Sequence, residues 1–345
     1  MWFLQLYLSI QKKSDTDYSY DEKSDFVGKR KLGGRMEQTI YGTSAPHMKG
    51  RLSTEKIMLC FIAALIPAGV HGIWRYGLKA ALIILITCAC AVATEMLFQL
   101  ITRKPLTVKE CRVLLTGLVM SYCLPPELPL YIAALAGVLC GLIMQLSLQF
   151  FQKNIVSPVI LTRLILMFAF ENEMSNYVLD GLTMATPLAL LKSDAEVNIL
   201  NMIFGNTGGC IGESSAILLC VGAIFLIMVG LMDFRIAGMY LFSFAAVLAV
   251  FGGHGLSSYY LTAHLAGGGF MLALWYIAPA YSTLPITKDG RWIYGIVLGV
   301  LTGVFRLFGP SAENLCFAIL IANLTVPVLE KITVRRPFGV EKGRL

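Results

Sequence analysis

Ten apolar runs occupy most of this sequence, and few folds can accommodate them. They cover approximately residues 57–74, 78–101, 113–124, 130–151 and 155–170, then 215–232, 236–252, 265–280, 293–308 and 315–330. Each is continuous rather than alternating, which reads as helix and not as barrel strand. Over the whole chain 57% of residues are apolar and 14% are charged. Soluble domains run at about 45–50% and about 25%. The expected fold class is an all-α integral membrane protein. The third run is short and ends in LPPELP, and the eighth ends in APAYSTLP. Proline lacks the N–H that a helix interior needs, so both segments should break at membrane depth or stop early.

The second five runs repeat the first five. IMLC at Ile57–Cys60 returns as ILLC at Ile217–Cys220, and GIWRY from Gly72 returns as GLMDF from Gly230. YCLP at Tyr122–Pro125 returns as YIAP at Tyr276–Pro279, and GVLCG at Gly137–Gly141 returns as GVLTG at Gly299–Gly303. The four matches keep their order, with offsets from 154 to 162. Five is odd, so the second unit must sit upside down relative to the first. Inverted repeats with interrupted helices are a transporter-like architecture, with sites where the halves meet. The domain reading is a polar, disordered extension at 1–50 and a first repeat at 51–172. A central segment at 173–214, a second repeat at 215–332 and a basic tail at 333–345 follow.

Charge sorts by loop. With the N-terminus inside, the inner loops hold Arg103, Lys104, Lys109, Arg112, Lys153, Arg235, Lys288 and Arg291, and the tail adds further basic residues. The outer loops hold little beyond Arg75, Lys79, Lys192 and Arg306. By the positive-inside rule both termini face the cytoplasm and the acidic central segment faces out of the cell. The net charge of +7 is thus a topology signal, and nothing points to nucleic acid. WFLQLYLSI near the start is too short to span and lacks the flanks of a signal peptide. The nine cysteines include no C-x-x-C pair and most lie in apolar runs, where they act as small hydrophobes.

The chemistry-bearing stretch is DGLTMATPLALLK, Asp180 to Lys192. A threonine hydroxyl can be esterified by a phosphate held against it. The turn around it must let backbone approach closely, which favours Gly and Ala neighbours. An adjacent acid suits the magnesium ion that accompanies phosphoryl transfer. Asp180, Gly181, Thr183, Ala185, Thr186 and Pro187 supply those parts. The same residues equally suit a polar loop opening a helix, with Thr186 as N-cap and Pro187 at the first helical position. The two readings can coexist, because only the hydroxyl is consumed.

This stretch resembles the flavinylation motif of the D subunit of Rnf ion-translocating oxidoreductases, and the related site in the B subunit of the sodium-pumping NADH:quinone oxidoreductase. The likeness runs from about SAPHMKGRLSTEKIM to VRRPFG and includes LLTGLVMSYCLPPELPLY, GGCIGESSAILL, GRWIYGI and CFAILIANLTVPVLEK. The resemblance implies FMN joined by a phosphodiester bond to the last threonine of the motif, here Thr186. It implies electron flow between ferredoxin and NADH coupled to Na+ or H+ transport. The implied partners are the A, B, C, E and G subunits of such a complex and a flavin transferase for maturation, all at the inner (cytoplasmic) membrane. It also associates riboflavin, bound without a covalent link, with this membrane component.

Two departures from the family pattern bear on that second flavin. The family's glycine-rich entry to the fifth helix is here LQFFQKNIVSPVILTR. Asn154, Pro158 and Arg163 survive, while Leu148, Gln149 and Phe151 replace small residues and Thr162 precedes Arg163. The family's aspartate after the eighth helix is absent from APAY. Bulky residues would obstruct a flavin ring there, which weighs against riboflavin. Arg163 lies well inside an apolar run, where a cation is costly and a functional candidate. It reads either as the partner of a cofactor phosphate or ion-path carboxylate, or as a cap on helix-end carbonyls. Glu95 is expected to reach the inner interface. The contrasting functional class is a small-solute transporter or channel of the same inverted-repeat architecture. Flavin absorbance on the purified protein separates the two.

Overall fold

The computed structural model describes residues 53–333 apart from 104–109, 152–155, 180–181, 184–186, 193–197, 206–207, 214, 254–256, 281–282 and 310–313. Among the described residues it is all-α except for one small hairpin. The first half contains α1 (Thr54–Tyr76), α2 (Leu78–Ile101), α3 (Arg112–Tyr122), α4 (Leu130–Phe151) and α5 (Pro158–Ala169). A central segment holds α6 (Glu171–Met174), strands β1 (Val178–Leu179) and β2 (Leu182–Thr183), α7 (Pro187–Lys192), α8 (Ile199–Phe204) and a 3-10 turn at Ile211–Glu213. The second half contains α9 (Ala216–Met228), α10 (Phe234–Phe251), α11 (Ser258–Ala266), α12 (Phe270–Leu272), α13 (Lys288–Phe308) and α14 (Asn314–Thr333). Among the described residues, six helices are long and apolar enough to cross a membrane, and α3, α5 and α9 are shorter apolar helices. With the broken eighth segment they correspond to the ten expected apolar runs, and the chain is a multi-pass membrane protein.

Local chemistry sets the helix ends. Gly77 adopts φ 78° and its N–H reaches Ile73 O at 2.8 Å, closing α1 one residue before α2 begins. Only glycine enters that left-handed region without strain. Asp233 caps α10 through Arg235 N, and Thr287 caps α13 through Gly290 N. The outer surfaces of the helices carry large exposed side chains such as Trp74, Leu97, Phe242 and Val250. Such a surface suits lipid.

The two halves pack alike. In the first, Gly137 of α4 meets Thr87 O, Cys90 and Ala91 of α2. In the second, Gly299 of α13 meets Ser243, Tyr240 O and Phe244 of α10. These glycines are the ones matched by GVLCG and GVLTG. Tyr122, at the end of α3, donates to Leu65 O of α1 at 2.9 Å and lies against Gly69. Its counterpart Tyr276 donates to Leu219 O of α9 at 3.2 Å and lies against Gly222. The tyrosines therefore equate Leu65 with Leu219. That is a different register for the first helices from the one IMLC and ILLC suggest.

Both interrupted segments leave helical carbonyls without intrahelical donors, and each is satisfied by a different device. After α3 the prolines of LPPELP end the helix, and Leu124 O accepts from Ile211 N at 3.1 Å. The eighth segment stops at Ala266, turns through Gly268 and Gly269 at φ 64° and 68°, and resumes as α12 and a π-turn at Ala273–Ile277. The eighth segment is interrupted as expected, but within the run 265–280 the break lies near the start, at the glycines, as well as before the later proline. Irregular backbone at membrane depth is tolerated only where protein buries it. Here Arg306 and Leu315 of the same half, with Leu188, Met202 and Glu213 of the central segment, cover it.

Glu95 does not reach an interface. It is 4% exposed, and Gln99 Nε2 and Gln145 Nε2 donate to its Oε1 at 3.1 and 3.3 Å. Two amides on α2 and α4 hold the carboxyl inside the bundle, so burial with partners wins over reaching for water.

Candidate functional site

The segment between the two halves builds the region of interest. β1 and β2 pair antiparallel, with Val178 opposite Thr183 and Leu179 opposite Leu182. Asp180 and Gly181, which join them, lie outside the described residues, as do Ala185, Thr186 and Asn154. Thr183 ends β2. Pro187 is the first residue of α7, as its fixed φ and missing N–H favour. Pro187 and Leu188 are both buried. Leu190 and Leu191 pack with Ala266 around Met202 and Ala263. The threonine stretch is thus followed at once in sequence by a helix anchored on α11.

Beneath α7 lies the broken eighth segment. Arg306 of α13 is 3% exposed and donates to His264 O, to Gly267 O at 2.8 Å and to Gly268 O at 3.1 Å. Its guanidinium carbon stands 5.6 Å from the Phe244 ring centroid and 5.8 Å from that of Phe270, which are themselves stacked. The cation is therefore dispersed over carbonyl dipoles and two aromatic faces. Glu213 shares this electrostatic neighbourhood with Arg306 and Tyr76. A Cβ on Gly269 would stand 2.6 Å from Glu213 Oε1, and one on Gly209 would stand 3.0 Å from its Oε2. Two glycines thereby give the carboxylate its seat.

Arg163 of α5 is buried, and its Nη2 donates to Cys210 Sγ at 3.4 Å. This brings the arginine singled out in the sequence to the turn that leads into the 3-10 residues Ile211–Glu213. Thr162 beside it is fully buried and donates to Pro158 O at 2.7 Å. Leu148, where the family pattern has a small residue, packs against the cluster of Ala91, Val113 and Met144.

Sequence reasoning groups Arg306 with the loop charges, and the structure corrects this. Arg306 is a buried group inside the last turn of α13. The signal is present: an arginine within LTGVFRLFG is an intramembrane charge of the kind that marks Arg163. The seat of Glu213 is beyond reach of sequence, since besides the nearby Gly209 it depends on Gly269 from a distant turn.

The chain is similar to known proteins over most of its length. The model of the NQR2, RnfD, RnfE family matches residues 42–339. The chain is 32% identical over 315 residues to the D subunit of the Na(+)-translocating ferredoxin:NAD(+) oxidoreductase complex of Acetobacterium woodii, covering 89% of this chain and 97% of that one. It is 30% identical over 318 residues to the D subunit of the proton-translocating ferredoxin:NAD(+) oxidoreductase complex of Clostridium ljungdahlii, covering 87% and 96%. The D subunit of the ion-translocating oxidoreductase complex of Methanosarcina acetivorans is 26% identical over 295 residues, covering 85% and 95%. A match over nearly all of the membrane part, together with two relatives of this similarity, places the chain in the NQR2, RnfD, RnfE family.

Proposed function

We propose that this chain is the membrane electron-transfer subunit of an ion-translocating ferredoxin:NAD oxidoreductase and carries FMN covalently on Thr186. The observation that carries the reading is the position of the threonine in a chain of this family. It immediately precedes Pro187 and Leu188, both buried at the start of a docked helix. The donor chemistry fits a phosphate-linked flavin: a hydroxyl among small residues in the stretch of sequence between β2 and α7. FMN, when attached, supplies one- and two-electron redox chemistry; the chain supplies placement and field. Anchoring by Pro187 and Leu188 limits how far the segment can swing. Arg306, buried against the glycine turn that Leu188 also packs on, adds positive charge beside α7, which favours a more electron-rich cofactor nearby.

The partners in this reading are the A, B, C, E and G subunits of the complex, the bilayer and a flavin transferase. The coupling ion is Na+ or H+; relatives named for each are about equally similar to this chain. The packing of Leu148 against Ala91, Val113 and Met144 supports a single flavin, since that face of α4 is already filled. The flavin segment lies outside the cytoplasm and both termini inside, as the loop charges argue.

The test is direct. The full chain, expressed with a flavin transferase, should show flavin fluorescence that survives denaturing electrophoresis and vanishes in Thr186→Ala. Fluorescence retained in that variant and lost in Thr183→Ala would move the site. A colourless wild-type protein would overturn the redox reading and favour solute transport.

A further inference from the structure

Arg306 takes no part in holding FMN in that reading, yet much of the structure is arranged around it. Its carbonyl partners belong to the C-terminal end of α11 and the turn beyond, where the chain leaves the helix through two glycines with positive φ. Carbonyls at a helix end have no intrahelical donor, and water cannot serve them inside a bundle. The guanidinium does so with a planar fork that spans several acceptors at once. α7 packs against the same backbone. A Cβ on Gly268 would overlap Arg306 Nη2 and stand 3.3 Å from Leu188 Cδ2. The guanidinium and Leu188 therefore close together over the bare Gly268 backbone. That leucine is 1% exposed and comes two residues after Thr186.

We propose that Arg306 is a positioning residue for the flavin-bearing segment: it fixes the broken end of α11 as the shelf on which Leu188 rests, and so seats α7, the helix that follows Thr186 in sequence. The inference rests on Thr186 as the attachment point, but its mechanical half concerns α7 alone. Lysine could keep the charge yet could not bridge the three carbonyls. Leucine would remove both charge and fork.

The experiment uses the full chain with its flavin transferase and two readouts. The first is the ratio of in-gel flavin fluorescence to protein in Arg306→Lys and Arg306→Leu. The second needs no flavin: a Leu188→Cys substitution is labelled with a membrane-impermeant maleimide, scored over the parent chain, with and without each Arg306 change. The expected result is a several-fold loss of flavin per protein and a several-fold rise in labelling, with α10 and α13 still assembled. A merely structural arginine would lower abundance and leave the flavin-to-protein ratio alone. Wild-type ratio and wild-type labelling in both Arg306 variants would overturn the proposal. If neither variant accumulates, Leu188→Ala decides, because it leaves the arginine and its carbonyls intact. Flavin loss at normal abundance supports the shelf, and full occupancy overturns it. Should the wild type carry no flavin while labelling still responds to Arg306, the attachment reading fails and the seating of α7 stands.

Discussion

Alanine at Gly299 and at Gly137 should loosen the two halves separately, and the distances rank the effects. A Cβ on Gly299 would overlap Ser243 Oγ and stand 2.6 Å from Tyr240 O and 2.8 Å from Phe244 N. Main-chain atoms of a neighbouring helix cannot rotate away, so α10 and α13 must separate. On Gly137 the added carbon would overlap Thr87 O and lie 2.9 Å from Cys90 Cβ and 3.2 Å from Ala91 N. On Gly117 it would meet Ala91 Cβ at 3.1 Å and Cys88 Cα at 3.4 Å, which a small shift relieves. Overpacking of this kind costs about 1–3 kcal/mol. Replacing a helical glycine with alanine returns about 1 kcal/mol of propensity. The net loss is then roughly 0–2 kcal/mol at Gly299 and Gly137, and near zero or a gain at Gly117. Unfolding of the purified chain by SDS titration, followed by loss of helix signal, measures the series. The expected order of destabilisation is Gly299→Ala, then Gly137→Ala, then Gly117→Ala. Because the two close sites lie in different halves, the Gly137→Ala, Gly299→Ala double variant should lose about the sum. A Gly299→Ala protein as resistant as Gly117→Ala would refute the claim that backbone contact at these glycines holds each half together.

Two further outcomes follow from loops outside the spans. Burial alone would raise the Asp233 carboxyl, but hydrogen bonds from the Arg291 side chain and Arg235 N, with both positive charges, outweigh it and hold Asp233 below its ordinary 3.8. Its contribution is therefore present above that ordinary value and lost as pH falls through the lower folded value. Arg291→Gln, which removes the 2.8 Å ion pair, should shrink this acid-side loss, read as SDS resistance against pH; an unchanged pH profile would show the pair to be inert. A reporter fused after Lys192 should report the extracytoplasmic side and one after Lys109 the cytoplasm, and the reverse at either point breaks the inverted arrangement.

What can be read from sequence divides along a physical line. The long spans are legible because a bilayer asks only for length and hydrophobicity, and six helices among the described residues satisfy it. The break in the third segment is legible because its prolines cannot donate. The repeat is legible where it rests on residues with specific packing: Gly137 with Gly299 and Tyr122 with Tyr276 both prove to make equivalent contacts. It misleads where it rests on IMLC and ILLC, since lipid tolerates such tetrapeptides in any register. Pro187 opens its helix as its chemistry demands.

The charges are harder to read. Linear sequence gives the depth of a charge but not what it will meet there. Glu95 is expected to reach water because the interface is two turns away, yet Gln145 arrives from another helix to hold it inside. Arg306 looks like a loop charge because it lies within the last turn of its span. Its meaning depends on a helix that ends some forty residues earlier, at Ala266, for want of donors. A break in a membrane helix creates a demand for hydrogen-bond donors, and in this chain a buried arginine on a different helix meets it. Interrupted segments and intramembrane cations should therefore be read together: where glycines break one helix, the donor that completes it should be sought on its neighbours. Applied to this sequence, GGG at residues 267–269 calls for a donor from the same half, and Arg306 on α13 supplies it.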